Sequence, residues 1–204
     1  MSLWAIVPVK PLRRGKSRLS AILSEEERNR LNQFLFTHTI EVLKEVDAIS
    51  DILVVSRDSN VLTFSREMGV RTVTENGTPE LNNALLRASL FSKAFSTEGV
   101  LIVPADLPLL TPADVNAFLS NRTQAPMIVI TPDRRQQGTN MLLIDPPDLL
   151  TFSFGEESFK RHCALAEAKG AKVIVHNSDN IALDLDVPED YVLLNSKISD
   201  PVVN

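Results

Sequence analysis

Glycine is scarce in this chain. There are 7 glycines against 12 prolines in 204 residues, where a share of about 7% Gly is usual. Collagen-like repeats and Gly-rich linkers are thereby excluded. Because Gly costs about 0.5–1 kcal/mol inside regular structure, each of the few needs a reason. Cysteine is scarcer still. Cys163 stands alone and cannot close an internal disulfide, and no Cys/His cluster has zinc spacing. His38, His162 and His176 are scattered. No apolar run approaches the ~20 residues that span a membrane. The first residues carry no charge ahead of their apolar run, so they do not read as a signal peptide. A basic excess is missing too: 21 Lys+Arg against 26 Asp+Glu gives −5. That argues against a general nucleic-acid surface while leaving room for a local basic pocket. Together these absences predict a cytoplasmic protein with neither nucleic-acid nor membrane partners.

What is present is ordinary for a globular chain: 44% apolar and 23% charged residues. The length predicts one domain over residues 1–204, with a polar tail from about 196. Such a domain buries roughly 70% of its unfolded surface. Leu3–Val9 reads as a buried strand running into a proline-constrained loop. Ser24-Glu25-Glu26-Glu27 is a capping box, and a helix follows to about Val46 with Leu31, Phe34, Leu35, His38 and Val42 near one face. Strands are expected at Asp51–Ser56 and Val70–Thr74, around a helix from Asn60 to Met68 stopped by Gly69. Glu80–Ser96 reads as a helix with Leu81, Ala84, Leu85, Ala88 and Phe91 at helical spacing. Further strands are expected at Val100–Val103, Met127–Thr131, Asn140–Ile144 and Ala171–His176. Helices are expected from Pro112 to about Leu119, over Glu156–Lys169 before Gly170, and over Pro188–Leu194. Strands alternate with helices almost throughout, which predicts an α/β, Rossmann-like three-layer sandwich with a mainly parallel sheet. Met127–Ile144 departs from the alternation and reads as a hairpin-like excursion.

In open α/β sheets ligands sit beyond the carboxyl ends of the strands, so the loops there carry the functional reading. After the first strand, Lys10–Arg18 places five basic residues in nine positions around Gly15. Backbone N–H groups and positive charge in such a loop suit a polyphosphate. Gly15-Lys16-Ser17 matches only the second half of a P-loop: Lys10 stands where the first glycine belongs, and Pro8 and Pro11 remove N–H groups from the cradle. No dinucleotide fingerprint occurs. After the fourth strand, the stiff turn Pro104-Ala105-Asp106-Leu107-Pro108 presents a carboxylate suited to Mg²⁺. In Leu183-Asp184-Leu185-Asp186, the two aspartates share a face if the backbone is extended, and their repulsion calls for a cation between them. With Asp106 they could complete a divalent-metal site; Asp186 could also cap the helix opening at Pro188. Gln137-Gly138-Thr139-Asn140 and Phe154-Gly155-Glu156-Glu157-Ser158-Phe159 offer polar groups and a helix N-terminus, and turn and capping chemistry explains either one taken alone. His162, four residues after Ser158, reads as an orienting or packing residue.

These segments, taken in order with Leu81-Asn82 and Asp184–Asp190, resemble the 2-phospho-L-lactate/phosphoenolpyruvate guanylyltransferases, which make the guanylylated precursor of the deazaflavin coenzyme F-420. The resemblance spans nearly the whole chain, and Gly138-Thr139-Asn140 and Phe154-Gly155…Ser158-Phe159…His162 are its most specific parts. It implies a nucleotide-diphospho-sugar transferase-like fold and GTP with a small phospho-acid as substrates. It implies nucleotide contacts from Pro8, Lys10, Gly15, Lys16, Ser17, Arg18, Asn82 and Asp106, with Lys10, Lys16 and Asp106 carrying the chemistry. Thr139, Gly155 and Ser158 match positions that hold the phospho-acid, and Asp106, Asp184 and Asp186 those that hold Mg²⁺. One departure is Glu80, where the family commonly has Gly before Leu-Asn. The resemblance leaves open which acid is used, how strictly guanine is preferred, and whether the chain is a homodimer. Rival readings are a molybdopterin or other small-molecule nucleotidyltransferase, a P-loop-like kinase, and a non-catalytic nucleotide-binding module.

Overall fold

The apolar runs pair into one sheet whose strand order is β3-β2-β1-β4-β6-β5-β7 in the computed structural model, which describes residues 2–75, 77 and 80–198. The strands are β1 (Leu3–Pro8), β2 (Asp51–Ser56), β3 (Arg71–Thr74), β4 (Gly99–Ile102), β5 (Met127–Pro132), β6 (Thr139–Asp145) and β7 (Lys172–Val175). All neighbours run parallel except β6, which is antiparallel to both β4 and β5. The helices are α1 (Glu25–Lys44), α2 (Ser59–Glu67), α3 (Leu81–Lys93), α4 (Pro112–Leu119), α5 (Ser158–Ala168), α6 (Asp179–Ala182) and α7 (Pro188–Lys197). No helix among the described residues is long and apolar enough to cross a membrane.

Alternation along β1 sends Trp4 and Ile6 to one face and Leu3, Ala5 and Val7 to the other. The Val7 face is covered by Phe36, Ile40 and Leu43 of α1 and by Val115 and Phe118 of α4. The Ile6 face is covered by Leu85 and Ala88 of α3 and Ala166 of α5. This is the expected three-layer arrangement. A separate apolar cluster joins Leu19, Leu31, Leu35, Leu183, Leu185 and Leu194. It ties the first loop to the segment carrying Asp184.

Both capping signals are realised: Ser24 accepts from the Glu27 N–H, and Thr111 accepts from the Asp114 N–H. Several boundaries and faces differ from the sequence expectation. α3 stops at Lys93 rather than Ser96, which adopts a left-handed φ of 59°. α5 starts at Ser158 rather than Glu156, because Gly155 and Glu157 both take positive φ. α7 continues to Lys197, and the rest of the expected tail, from residue 199, lies outside the described residues. Phe34 is exposed, stacked on His38 outside the core. Leu81 and Phe91 are also exposed, and Phe91 packs edge-on against Trp4 at 6.3 Å. Helical spacing identified the stripe, but the sheet covers only its centre.

Candidate active site

Strand order reverses between β1 and β4, so their loops part at a switch point where ligands bind in open α/β sheets. A cleft of about 460 Å³ opens there, lined by Pro8, Lys10, Gly15 and Lys16 from the first loop and by Asp106 and Asp186. Chain direction brings a further strand end to this side of the sheet. Because β6 is antiparallel to β4, pairing Ile102 with Leu142, its first residues Thr139 and Asn140 lie at the carboxyl end of β4.

The first loop turns through 3-10 helices at Leu12–Arg14 and Ser17–Leu19. A Cβ on Gly15 would meet Asn32 Nδ2 at 2.6 Å, and that amide donates to the Leu12 carbonyl, so the loop closes only over a bare Cα. Lys16 takes a left-handed backbone (φ 55°) that turns its side chain inward. Its ammonium donates to Asp106 Oδ2 at 2.9 Å and to Asp186 Oδ1 at 3.1 Å. Ser17 opens a short 3-10 turn rather than a long helix, unlike a P-loop, whose phosphates sit on a helix N-terminus. Ser17 and Arg18 are exposed at the rim, with Arg18 at 4.0 Å from Asp186.

Extended backbone over residues 183–186 buries Leu183 and Leu185 and turns Asp184 and Asp186 the other way. The Leu185 N–H donates to the Asp106 carbonyl at 3.1 Å, which fixes this segment beside the Asp106 turn. The three aspartates feel one another. Burial, followed by the charges of Asp106 and Asp186, raises the Asp184 pKa to about 6. Burial opposes the charge on Asp186, but Lys16, together with Arg18 and Lys10, outweighs it and lowers the pKa. Burial likewise opposes the Lys16 charge, and Asp106 and Asp186 outweigh it and raise the pKa. Among the described residues no three acidic, His or Cys groups stand ready together around an ion; the Lys16 ammonium bridges Asp106 and Asp186. The donor set still fits a hard divalent cation: it is all oxygen, it carries excess negative charge, and the buried Asp106 Oδ1 accepts no hydrogen bond.

Asp186 does not cap α7. The N-cap is Val187, and the buried Asp190 accepts the Asp186 and Val187 N–H groups at 3.1 and 3.0 Å. Arg134 and Arg135, from the β5–β6 hairpin, donate to the same carboxylate at 2.9 and 3.3 Å. Asp190→Ala is expected to destabilise the fold by about 2–4 kcal/mol in urea melts, since it strands several donors on one buried carboxylate's site. Asp190→Asn should lose less.

Thr139 and Asn140 point to opposite faces of β6. Asn140 Nδ2 donates to the Ile181 carbonyl and, at 3.3 Å, to Asp184. Thr139 Oγ1 lies 3.0 Å from His162 Nδ1. His162 Nε2 accepts from the Ser153 N–H at 3.0 Å. The following Phe154 is held through its N–H and carbonyl by Asn82. Asn82 is thus committed to the Phe154–Gly155 loop rather than to the cleft lining. Glu80, the departing residue, caps α3 by accepting from the Asn82 and Asn83 N–H groups. Gly155 has a φ of 119°, a region closed to other residues in practice. Ser158 is buried at the start of α5.

Burial, followed by the Arg161 charge, lowers the His162 pKa from 6.5 to about 4. The unfolded chain therefore binds one more proton than the folded chain between those values. The His162 contribution to stability should fall by about 3 kcal/mol as pH drops from 6.5 to 4, while Asp184, raised to about 6, acts in the opposite direction over much of that range. Denaturant melts across that range, compared with His162→Gln, measure this contribution.

Arg57 and Glu75 were not singled out in the sequence, yet both line the cleft and are paired at 3.3 Å. Each directly follows a strand, the same signal that found the other loops.

Comparison with known proteins decides the family. Residues 3–196 match the family described as Guanylyl transferase CofC like. The chain belongs to this family. A phosphoenolpyruvate guanylyltransferase of Rubrobacter xylanophilus is 40% identical over 96% of this chain and 95% of its own length. A 2-phospho-L-lactate guanylyltransferase of Methanobrevibacter smithii is 31% identical over 92% of this chain and 81% of its own. A solved nucleotidyl transferase from Methanothermobacter thermautotrophicus superposes with a TM-score of 0.67 at 14% identity, covering 96% of each chain. The 4-diphosphocytidyl-2C-methyl-D-erythritol synthase of Anaerococcus prevotii gives 0.60 at 14%, covering 97% of this chain and 98% of that one. The two structures share the fold.

Proposed function

We propose that this protein transfers the guanylyl group of GTP to a three-carbon phospho-acid, phosphoenolpyruvate or 2-phospho-L-lactate, and releases pyrophosphate. The product would be the guanylylated precursor of a deazaflavin coenzyme. The observation that carries this reading is the joining of Lys16, Asp106 and Asp186 at the mouth of a cleft on the switch point. It is supported by the names of the relatives, which are guanylyltransferases for these two acids.

A phosphate oxygen of the acid attacks the α-phosphorus of GTP, and the bond to the β-phosphate breaks as pyrophosphate leaves. The attacking oxygen is already ionised at neutral pH, so no protein base is needed. The difficulty is repulsion between two anions, and the residues of the chain answer it with fixed positive charge and donors. Lys10 faces the α-phosphate, and Lys16 and Arg18 take the departing pyrophosphate. Asp106, Asp184 and Asp186 would hold Mg²⁺, which supplies charge neutralisation to the attacking and leaving oxygens. Arg57 and Glu75 offer a donor beside an acceptor for the edge of the base. Thr139, Gly155 and Ser158 hold the acid.

Product analysis tests the reaction class. Phosphorus NMR of a turnover mixture should show pyrophosphate together with a new guanylylated acid. Formation of GDP and a doubly phosphorylated acid would identify a kinase instead.

A further inference from the structure

His162 is fully buried, and both ring nitrogens have partners. One partner leaves no choice of direction. A backbone N–H can only donate, so the Ser153 N–H at 3.0 Å makes Nε2 the acceptor. A neutral imidazole carries one proton, which must then sit on Nδ1. Nδ1–H accordingly donates to Thr139 Oγ1, 3.0 Å away. Two further contacts fix the ring and its backbone partner. Phe154 packs edge-on against the ring at 4.8 Å, and Arg161 donates to the Ser153 carbonyl at 3.2 Å. With one lone pair of Thr139 occupied by His162, the hydroxyl proton of Thr139 is not spent on the ring.

We propose that His162 is a positioning residue that makes Thr139 a committed hydrogen-bond donor, aimed at an acceptor-only anionic group of the bound acid. This rests on the proposed placement of the phospho-acid at Thr139. Carboxylates and ionised phosphates only accept hydrogen bonds, whereas a freely rotating hydroxyl could equally present a lone pair to them. Keeping the proton off the ring leaves it for the ligand and favours an anion over a neutral group of similar size. The Ser153–Phe154–Gly155 loop and Thr139 are thereby set by one ring, so the two sides of the acid site are built together.

Two measurements on the full chain test this. The ring nitrogens of His162 can be read by long-range proton–nitrogen NMR at neutral pH, with the signal assigned by its loss in His162→Gln. Protonated Nδ1 and bare Nε2 are expected; a proton on Nε2 overturns the proposal whatever the substrate. In steady-state kinetics, His162→Gln places its amide at the Nε2 position, where it can accept from Ser153, and leaves the Nδ1 position beside Thr139 without a donor. It should raise KM for the phospho-acid by about tenfold or more with KM for GTP unchanged. Thr139→Val should do the same, and the double variant should be no worse than the poorer single one. His162→Asn, whose amide overlays Nδ1, should recover much of the loss. An unchanged acid KM in His162→Gln, or fully additive losses in the double variant, overturns the proposal. The expected tautomer in a chain that turns over no phospho-acid would instead overturn the acid-binding reading beneath it.

Discussion

Replacing Asp106 with asparagine is expected to lower the rate of pyrophosphate release by roughly 10²–10³-fold. The substitution preserves shape, so the melting temperature should stay close to that of the parent chain. The turn that carries the side chain is held by its prolines and by the Leu185 N–H on the Asp106 carbonyl, not by the carboxylate. What disappears is charge. Asp106 Oδ1 is buried without a hydrogen-bond partner, and Oδ2 holds Lys16. An amide in that place can satisfy neither a cation nor the ammonium equally well. Initial-rate measurement of pyrophosphate, paired with a thermal melt, separates loss of chemistry from loss of fold. Near-normal turnover in Asp106→Asn would remove Asp106 from the proposed metal site.

Lys16→Ala has two expected effects of opposite sign. Turnover should fall by roughly 10²-fold or more, because the pyrophosphate loses a buried donor. Binding of a divalent cation to the nucleotide-free protein should become tighter, by at least about tenfold. The second effect follows from the Lys16 ammonium, only 8% exposed, which neutralises Asp106 and Asp186. Without it the three aspartates repel one another with no internal cation. Titration with Mn²⁺, read by electron paramagnetic resonance or calorimetry, measures this without any turnover. Weaker or unchanged cation binding in Lys16→Ala would show that the aspartates are not a cation site.

Much of this site was legible because strand periodicity and loop position carry chemical meaning. Alternation in Leu183-Asp184-Leu185-Asp186 predicted two carboxylates on one face, and the two leucines are buried on the other. The rule that ligands lie beyond strand ends picked out the Lys10–Arg18 loop and the Asp106 turn, which do meet. Other features depend on tertiary pairing and left no local trace. Nothing in the order of residues says that β6 lies beside β4, yet that antiparallel pairing brings Thr139 to the carboxyl end of β4. Phe34 and Phe91 sat at the right spacing but at the edge of what the sheet covers. The capping role expected of Asp186 falls to Asp190, because the helix starts one residue later than a cap at Asp186 requires, with Val187 as N-cap and Asp190 three residues on. Arg57 and Glu75 followed strands and were readable, but their pairing at the ends of neighbouring strands was not. His162 showed its place on the helix, whereas its proton arrangement needed the positions of Ser153 and Thr139.

The most direct test of the account is a single turnover panel. Four nucleoside triphosphates are crossed with phosphoenolpyruvate, 2-phospho-L-lactate and a phosphoglycerate in the presence of Mg²⁺, and pyrophosphate is measured. The account predicts acid-dependent pyrophosphate release with GTP and at least one of the first two acids, well above that with the other nucleotides. Absence of acid-dependent pyrophosphate from GTP with every acid would contradict it.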